Sequence, residues 1–237
     1  MDKIAEDIAK QWGQLWAQHP NDELDTHDHK IQYKFSIFQK LLKQLSKNTR
    51  ILEVGCGNGQ WLRLLKKHYP SMQLYGVDVS EDAVLICKKH GIDARFGDAR
   101  SIPFQDNFFD LVFSFGTIEH FPETKAALYE HIRILKSGGY TWIEVPNAHS
   151  LPGVHLHWGN LVHQRDPYRV IIEQGKRYTP KAIKNMADTS PFLIAVHVQG
   201  SGDCLPYMRY FTWLDRMIPR IVRRFFGGNT GIIIKKK

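Results

Sequence analysis

Two short stretches of this 237-residue chain put side chains and backbone in patterns that can do chemistry. Residues 115–121 read FGTIEHF, with Glu119 and His120 adjacent just after a strand-like run. Residues 52–59 read LEVGCGNG, where Gly55, Gly57 and Gly59 alternate between an apolar strand and a helical stretch. A carboxyl beside an imidazole can form a general base, hold a divalent metal, or merely shape a corner. The imidazole titrates nearest to working pH. Glycines in a strand-to-helix turn admit positive φ and let a ligand reach the free N–H groups of the helix start. That context points to a nucleotide-like ligand.

Two more acids stand where such a ligand would pass. Asp78 closes the run YGVD, 23 positions after Gly55. An acid there accepts hydrogen bonds from ribose hydroxyls, or else leads into the helix that Ser80 caps. Asp98, in FGDAR, follows a third strand at the adenine end of the ligand; an ordinary turn aspartate would read the same.

The elements that must position these residues alternate. RILEVGCG, MQLYGVDV, IDARFGD, FDLVFSFG and YTWIEVPN read as strands, with helices at QWLRLLKKHYP, EDAVLICKKH and TKAALYEHIRILKSGG. Such alternation predicts βαβ units and a mostly parallel sheet with helices on both faces. Upstream, Ile4, Ile8, Trp12, Leu15 and Trp16 recur at helical spacing until near Pro20, and a second helix covers about 31–45. The chain therefore reads as one domain: a helical cap over 1–47, a ligand-binding core over 48–147, an insertion over 148–191 with a helix at PKAIKNMADT, and a closing part over 192–237. That last part holds two strands, FLIAVHV and GIIIKKK, around a basic amphipathic segment.

Composition narrows the class. The longest apolar runs are strand-length, too short to span a bilayer, and MDKIAEDIAK lacks the apolar core of a secretory signal. Cys56, Cys87 and Cys204 fit neither a disulfide framework nor a zinc pattern, so a cytoplasmic setting is expected. The net charge of +8 is uneven: residues 165–237 carry 14 Lys/Arg against 5 Asp/Glu. A basic surface of this kind serves nucleic acid, an anionic membrane, an acidic substrate, or plain solubility.

The spacing GxGxG differs from the GxGxxG of dinucleotide enzymes, and Glu53 precedes it inside the strand. LEVGCGNGQWL, YGVDVS, FGDARSIPF, FDLVFSFGTIEHF and RILKSGGYTWIEVPN together resemble the successive motifs of class I S-adenosylmethionine-dependent methyltransferases, over about 48–147. The resemblance implies a Rossmann-like, seven-stranded, mostly parallel sheet whose last strand is antiparallel. It also implies S-adenosyl-L-methionine as cofactor. Glu53, Gly55, Cys56, Gly57 and Gly59 would hold its methionine end, and Asp78 the ribose, with Val79 against the adenine. Asp98 would meet the adenine amine, Ala99 would offer its backbone N–H, and Phe115 would pass the methionine moiety.

Methyl transfer from a sulfonium is an in-line displacement that mainly needs alignment and exclusion of water. A base is required only where the acceptor carries a proton, as a hydroxyl does, and His120 beside Glu119 is the nearest one. The pair also resembles a metal-binding corner of some relatives, but an acid expected three residues earlier is Gly116 here. No metal ligand is therefore assigned. The segment HSLPGVHLHWGNLVH holds His149, His155, His157 and His163 around Trp158, read as an acceptor-pocket lid or plain loop. Trp12, Trp16, Tyr33 and Trp158 are candidate acceptor walls. Residues 207–226 place apolar side chains at helical spacing with arginines beside them, either packing on the domain or touching a membrane surface. The expected partner is a small-molecule acceptor methylated at oxygen. An RNA acceptor met by the basic C-terminal third, or cofactor binding without transfer, are the alternatives.

Overall fold

The computed structural model describes residues 2–150, 175–188, 193–201 and 228–237. Seven strands form one sheet: β1 (Arg50–Val54), β2 (Gln73–Asp78), β3 (Asp93–Phe96), β4 (Phe109–Phe115), β5 (Leu135–Pro146), β6 (Leu193–Ser201) and β7 (Asn229–Lys236). Their order is β3-β2-β1-β4-β5-β7-β6. Strands β1 to β5 run parallel, while β7 lies antiparallel between β5 and β6. The expected sheet, with its antiparallel last strand, is the observed one.

Side chains alternate between the two faces, as a pleated strand requires. Leu52, Val112 and Ile143 enter one core, with α5 (Thr124–Ile134) and α6 (Pro180–Asp188). Ile51, Leu111 and Trp142 enter the other, with α2 (His29–Leu42) and α3 (Gln60–His68). In the second core Phe38 of α2 packs against Trp142 with ring centroids 5.0 Å apart, and both are fully buried. Burying an aromatic side chain of this size contributes about 2–3 kcal/mol, which fastens α2 to this face of the sheet. The other cap helix, α1 (Lys3–Gln18), packs on α4 (Glu81–Lys89). Ser80 caps α4 by accepting from Ala83 N at 3.3 Å, and Gly91 follows it at φ 69°.

One boundary differs from expectation. The helix predicted through KSGG ends at Ile134, because Leu135 already pairs with Phe109 of β4. Gly138, at φ 77°, lies in the irregular stretch before the register resumes at Leu111↔Tyr140. A glycine expected to stop a helix thus sits in a bulge, and the ladder with β4 wins over local helix propensity. The amphipathic segment 207–226, and His155, Trp158 and the neighbouring histidines of the lid segment apart from His149, lie outside the described residues.

Candidate functional site

The sheet order reverses between β1 and β4, and a crevice opens at the carboxyl ends of such strands. The turn after β1 is left-handed at Gly55 (φ 75°) and Gly57 (φ 51°). A Cβ on Gly57 would lie 2.6 Å from the Trp16 indole, so glycine is needed for shape as well as φ. Asp78, at the end of β2, braces this turn: its Oδ2 accepts from Gly57 N and its Oδ1 from Ser80 N, each at 2.9 Å. Burial raises its carboxyl above the usual range while those N–H donors oppose the rise. A carboxylate has about four lone-pair sites, so capacity remains for a ligand hydroxyl.

A cavity of about 370 Å³ fills the crevice. Of the residues singled out in the sequence, Glu53, Gly55, Cys56, Asp78, Val79, Ala99, Phe115, Glu119 and His120 all line it. Gly57, Gly59 and Asp98 do not. Gly57 faces Trp16, and Gly59 starts α3 against Cys87 and Ile92. Asp98 is taken by Arg100, whose guanidinium meets Asp98 Oδ2 at 2.7 Å. The cavity wall also includes Ile8, Trp12 and Trp16 of α1, two of them among the expected acceptor walls. Tyr33 instead packs, half-buried, against the second core.

Three residues after β4, a single 3₁₀ turn (Ile118–His120) turns the corner. Glu119 is only 2% exposed, and its Oε2 has no hydrogen-bond partner. Burial raises its carboxyl from 4.5 to about 8, so it is largely protonated at neutral pH. Burial lowers the His120 imidazole below 6.5, which keeps it neutral there. Glu53 Oε2 is likewise buried and unpartnered, and its carboxyl is pushed well up, chiefly by burial, with Lys34 opposing. Gly175 closes on the corner: a Cβ there would lie 2.8 Å from Glu119 Cγ and 3.5 Å from His120 Nδ1. Lys176 N donates to Glu119 O at 3.0 Å.

Helix α1 roofs the cavity and is tied at both ends. Asp2, its N-cap, meets Arg100 at 2.9 Å, and Arg100 also meets Glu123 at 2.6 Å. Past its C-terminus, Asn58 Nδ2 donates to His19 O at 2.7 Å. The sequence reading missed Arg100, and it missed Lys34, Trp61 and Asn229 of the cavity wall. Lys34 pairs with Glu144 at 2.7 Å, a partner 110 positions away that no local pattern marks. Among the described residues, no group of three or more His, Cys, Asp or Glu side chains is placed to hold a metal ion.

A glycine turn braced by the β2 acid, at the reversal point of a seven-stranded sheet with an antiparallel β7, is the Rossmann-like fold of class I S-adenosylmethionine-dependent methyltransferases. Residues 52–143 match the family described as a methyltransferase domain. The chain is 37% identical over 108 residues to a tRNA (carboxymethyluridine(34)-5-O)-methyltransferase of Xenopus tropicalis, covering 43% of this chain and 17% of that protein. It is 31% identical over 146 residues to a demethylmenaquinone methyltransferase of Staphylococcus aureus, covering 58% of this chain and 56% of that one. The chain thus spans no more than about half the length of these curated relatives. Its fold is similar to that of an S-adenosylmethionine-dependent methyltransferase from Thermotoga maritima, with TM-score 0.63 and 18% identity over 97% of this chain and 100% of that chain.

Proposed function

We propose that the protein transfers a methyl group from S-adenosylmethionine to a hydroxyl of a small-molecule acceptor by direct in-line displacement. The observation that carries this reading is the neutral imidazole of His120 in the same cavity as the glycine turn. The cavity fits the cofactor: Gly55 and Gly57 leave a side-chain-free cradle, and Glu53 Oε2 is a buried acceptor awaiting an ammonium group. Glu53 and the turn would hold the methionine end, with Asp78 on the ribose and Val79 and Ala99 at the adenine. Asp98 would reach the adenine amine only by giving up part of its pairing with Arg100. Bound there, the cofactor supplies a sulfonium-activated methyl group. His120 accepts the acceptor's hydroxyl proton at Nε2, the ring nitrogen farther from Gly175. Glu119, protonated, donates a hydrogen bond into the cavity, and α1 with Trp12 and Trp16 keeps water out.

Titration calorimetry with S-adenosylmethionine, followed by assay of S-adenosylhomocysteine formation over a panel of hydroxylated acceptors, tests this. Binding without product on any acceptor would favour a cofactor-binding protein; absence of binding would sink the whole reading. Full activity in excess EDTA is expected, and its loss would return Glu119 and His120 to the metal reading.

The second reading is an RNA acceptor, favoured by the tRNA methyltransferase relatives and by the basic C-terminal third. Phosphate contacts weaken steeply with salt. Retention of tRNA at low salt that disappears at high salt would support it over the small molecule. A membrane-surface role for 207–226 enters only through a lipid-like acceptor. Among the described residues no helix is long and apolar enough to cross a membrane. The cytoplasm is the setting we propose.

A further inference from the structure

Lys34 is a buried cation in the cavity wall, where among the described residues every other ionisable side chain is a carboxyl, a thiol or the His120 imidazole. It comes from α2, and its Nζ lies 2.7 Å from Glu144 Oε2, with the two side chains 11% and 1% exposed. The same nitrogen stands 4.0 Å from the centroid of the Phe115 ring and 5.9 Å from that of Trp61. A buried ion pair is seldom more stabilising than a well-packed apolar pair, because desolvation offsets the attraction. Its position beside a cavity is better explained by a ligand. An ammonium has three donors. Glu144 takes one and the Phe115 face attracts a second, so a donor remains for a bound group.

The sheet order tells which ligand this is. The residues fitted to the cofactor stand on β2, β1 and β4 and just after β3. Glu144 lies on β5, directly across from Phe115 in the β4–β5 ladder, and Pro146 and Asn229 continue the cavity wall onto β5 and β7. This side adjoins the methionine end of the cofactor, where Lys34 also bears on Glu53, and it is where the methyl acceptor has to stand. Aromatic rings line it: Phe115 and Trp61 stand edge-to-face, at 73° with ring centroids 5.5 Å apart.

We propose that Lys34 is the acceptor-recognition residue, its ammonium held by Glu144 and binding an acidic oxygen, carboxylate or phenolate, on an aromatic methyl acceptor. The inference rests on the methyltransferase reading above. The sequence gives no hint of it, since the two partners belong to the cap and the fifth strand.

Tryptophan fluorescence of the full chain saturated with S-adenosylhomocysteine, titrated at neutral pH with 4-hydroxybenzoate and with its methyl ester, tests it. The acid is expected to bind about tenfold tighter than the ester, a difference typical of one charge-assisted hydrogen bond. The double variant Lys34→Gln/Glu144→Gln, which leaves neither charge buried alone, should bind both alike, while Lys34→Arg keeps the preference. Equal binding of acid and ester by the unaltered protein, or binding of neither, overturns the proposal without needing a variant. Weakened S-adenosylhomocysteine binding in Lys34→Arg or the double variant, with the acid preference intact, also overturns it and assigns Lys34 to the cofactor. An unaltered protein that fails to bind S-adenosylhomocysteine at all refutes the methyltransferase reading itself.

Discussion

The indole of Trp12 stands edge-on to the imidazole of His120, with ring centroids 5.5 Å apart and planes at 75°. One ring belongs to the N-terminal helix and the other to the corner after β4, so the roof of the cavity dries the proposed base. Burial is the cause of the lowered His120 titration. Trp12→Ala should admit water and move that titration back up toward 6.5. The His120 ring-proton resonance followed against pH by NMR reads this directly. An unmoved titration would mean that other groups keep the ring dry.

Activity should carry the same signature. With its titration lowered, His120 stays neutral as pH falls past 6.5, so the acid limb of kcat should begin below that value. His120→Ala is expected to lower kcat by about 100-fold or more, the usual contribution of a positioned base, with little change in cofactor affinity. Unchanged kcat with every productive acceptor would remove His120 from the mechanism.

Glu119 gives a pH-dependent stability of definite sign. Its folded-state carboxyl titrates at about 8 against an ordinary 4.5, so the native state binds the extra proton between those values. The favourable contribution is complete below pH 4.5 and is lost as pH rises through 8. For a fully buried group this corresponds to a loss on the order of 4 kcal/mol across that window. Glu119→Gln, neutral at every pH, should flatten the stability profile there. Denaturant unfolding of both proteins at pH 5 and pH 8 makes the comparison, and parallel profiles would show that water reaches the carboxyl.

Arg100 ties three carboxylates together: Asp2 of the α1 N-cap, Asp98 after β3, and Glu123 before α5. Asp2 and Glu123 are half or more exposed, so solvent screens both pairs. Arg100→Ala should nonetheless loosen the start of α1, raising amide exchange over residues 3–18 by about fivefold, the equivalent of about 1 kcal/mol. Exchange at the unaltered rate would show that α1 is held by its apolar face alone.

At Gly57 two penalties can be separated. Gly57→Ala meets both the positive φ of 51° and the Trp16 ring 2.6 Å away, and should destabilise by about 2–3 kcal/mol. Adding Trp16→Ala removes only the clash. A double-mutant cycle should therefore show coupling of about 1 kcal/mol or more. Strict additivity would mean that Trp16 moves aside freely.

Much of this molecule was legible in its letters. The alternation of strand and helix patterns specified the sheet, and the Ser80 cap and the stop at Gly91 stand where local chemistry put them. The glycine turn, Asp78 and the FGTIEHF corner were visible because each is a short-range signal: a φ requirement, a strand end, a turn. Other features arise between segments far apart in sequence. The helix expected through KSGG gave way to a strand because β4 offered Leu135 a ladder partner. The 8 or so at which Glu119 titrates follows from burial, including closure by Gly175, and no spacing encodes that. Asp98 reads as a ligand contact in sequence, yet Arg100, two residues on, holds it, and that arginine also pairs with Asp2, 98 positions earlier. Lys34 stands in no motif, and no local pattern marks its pairing with Glu144. Sequence determined which backbone could bind a nucleotide-like ligand; only tertiary packing decided which charges are dry, paired and facing it, because desolvation and pairing depend on neighbours that the chain brings together last.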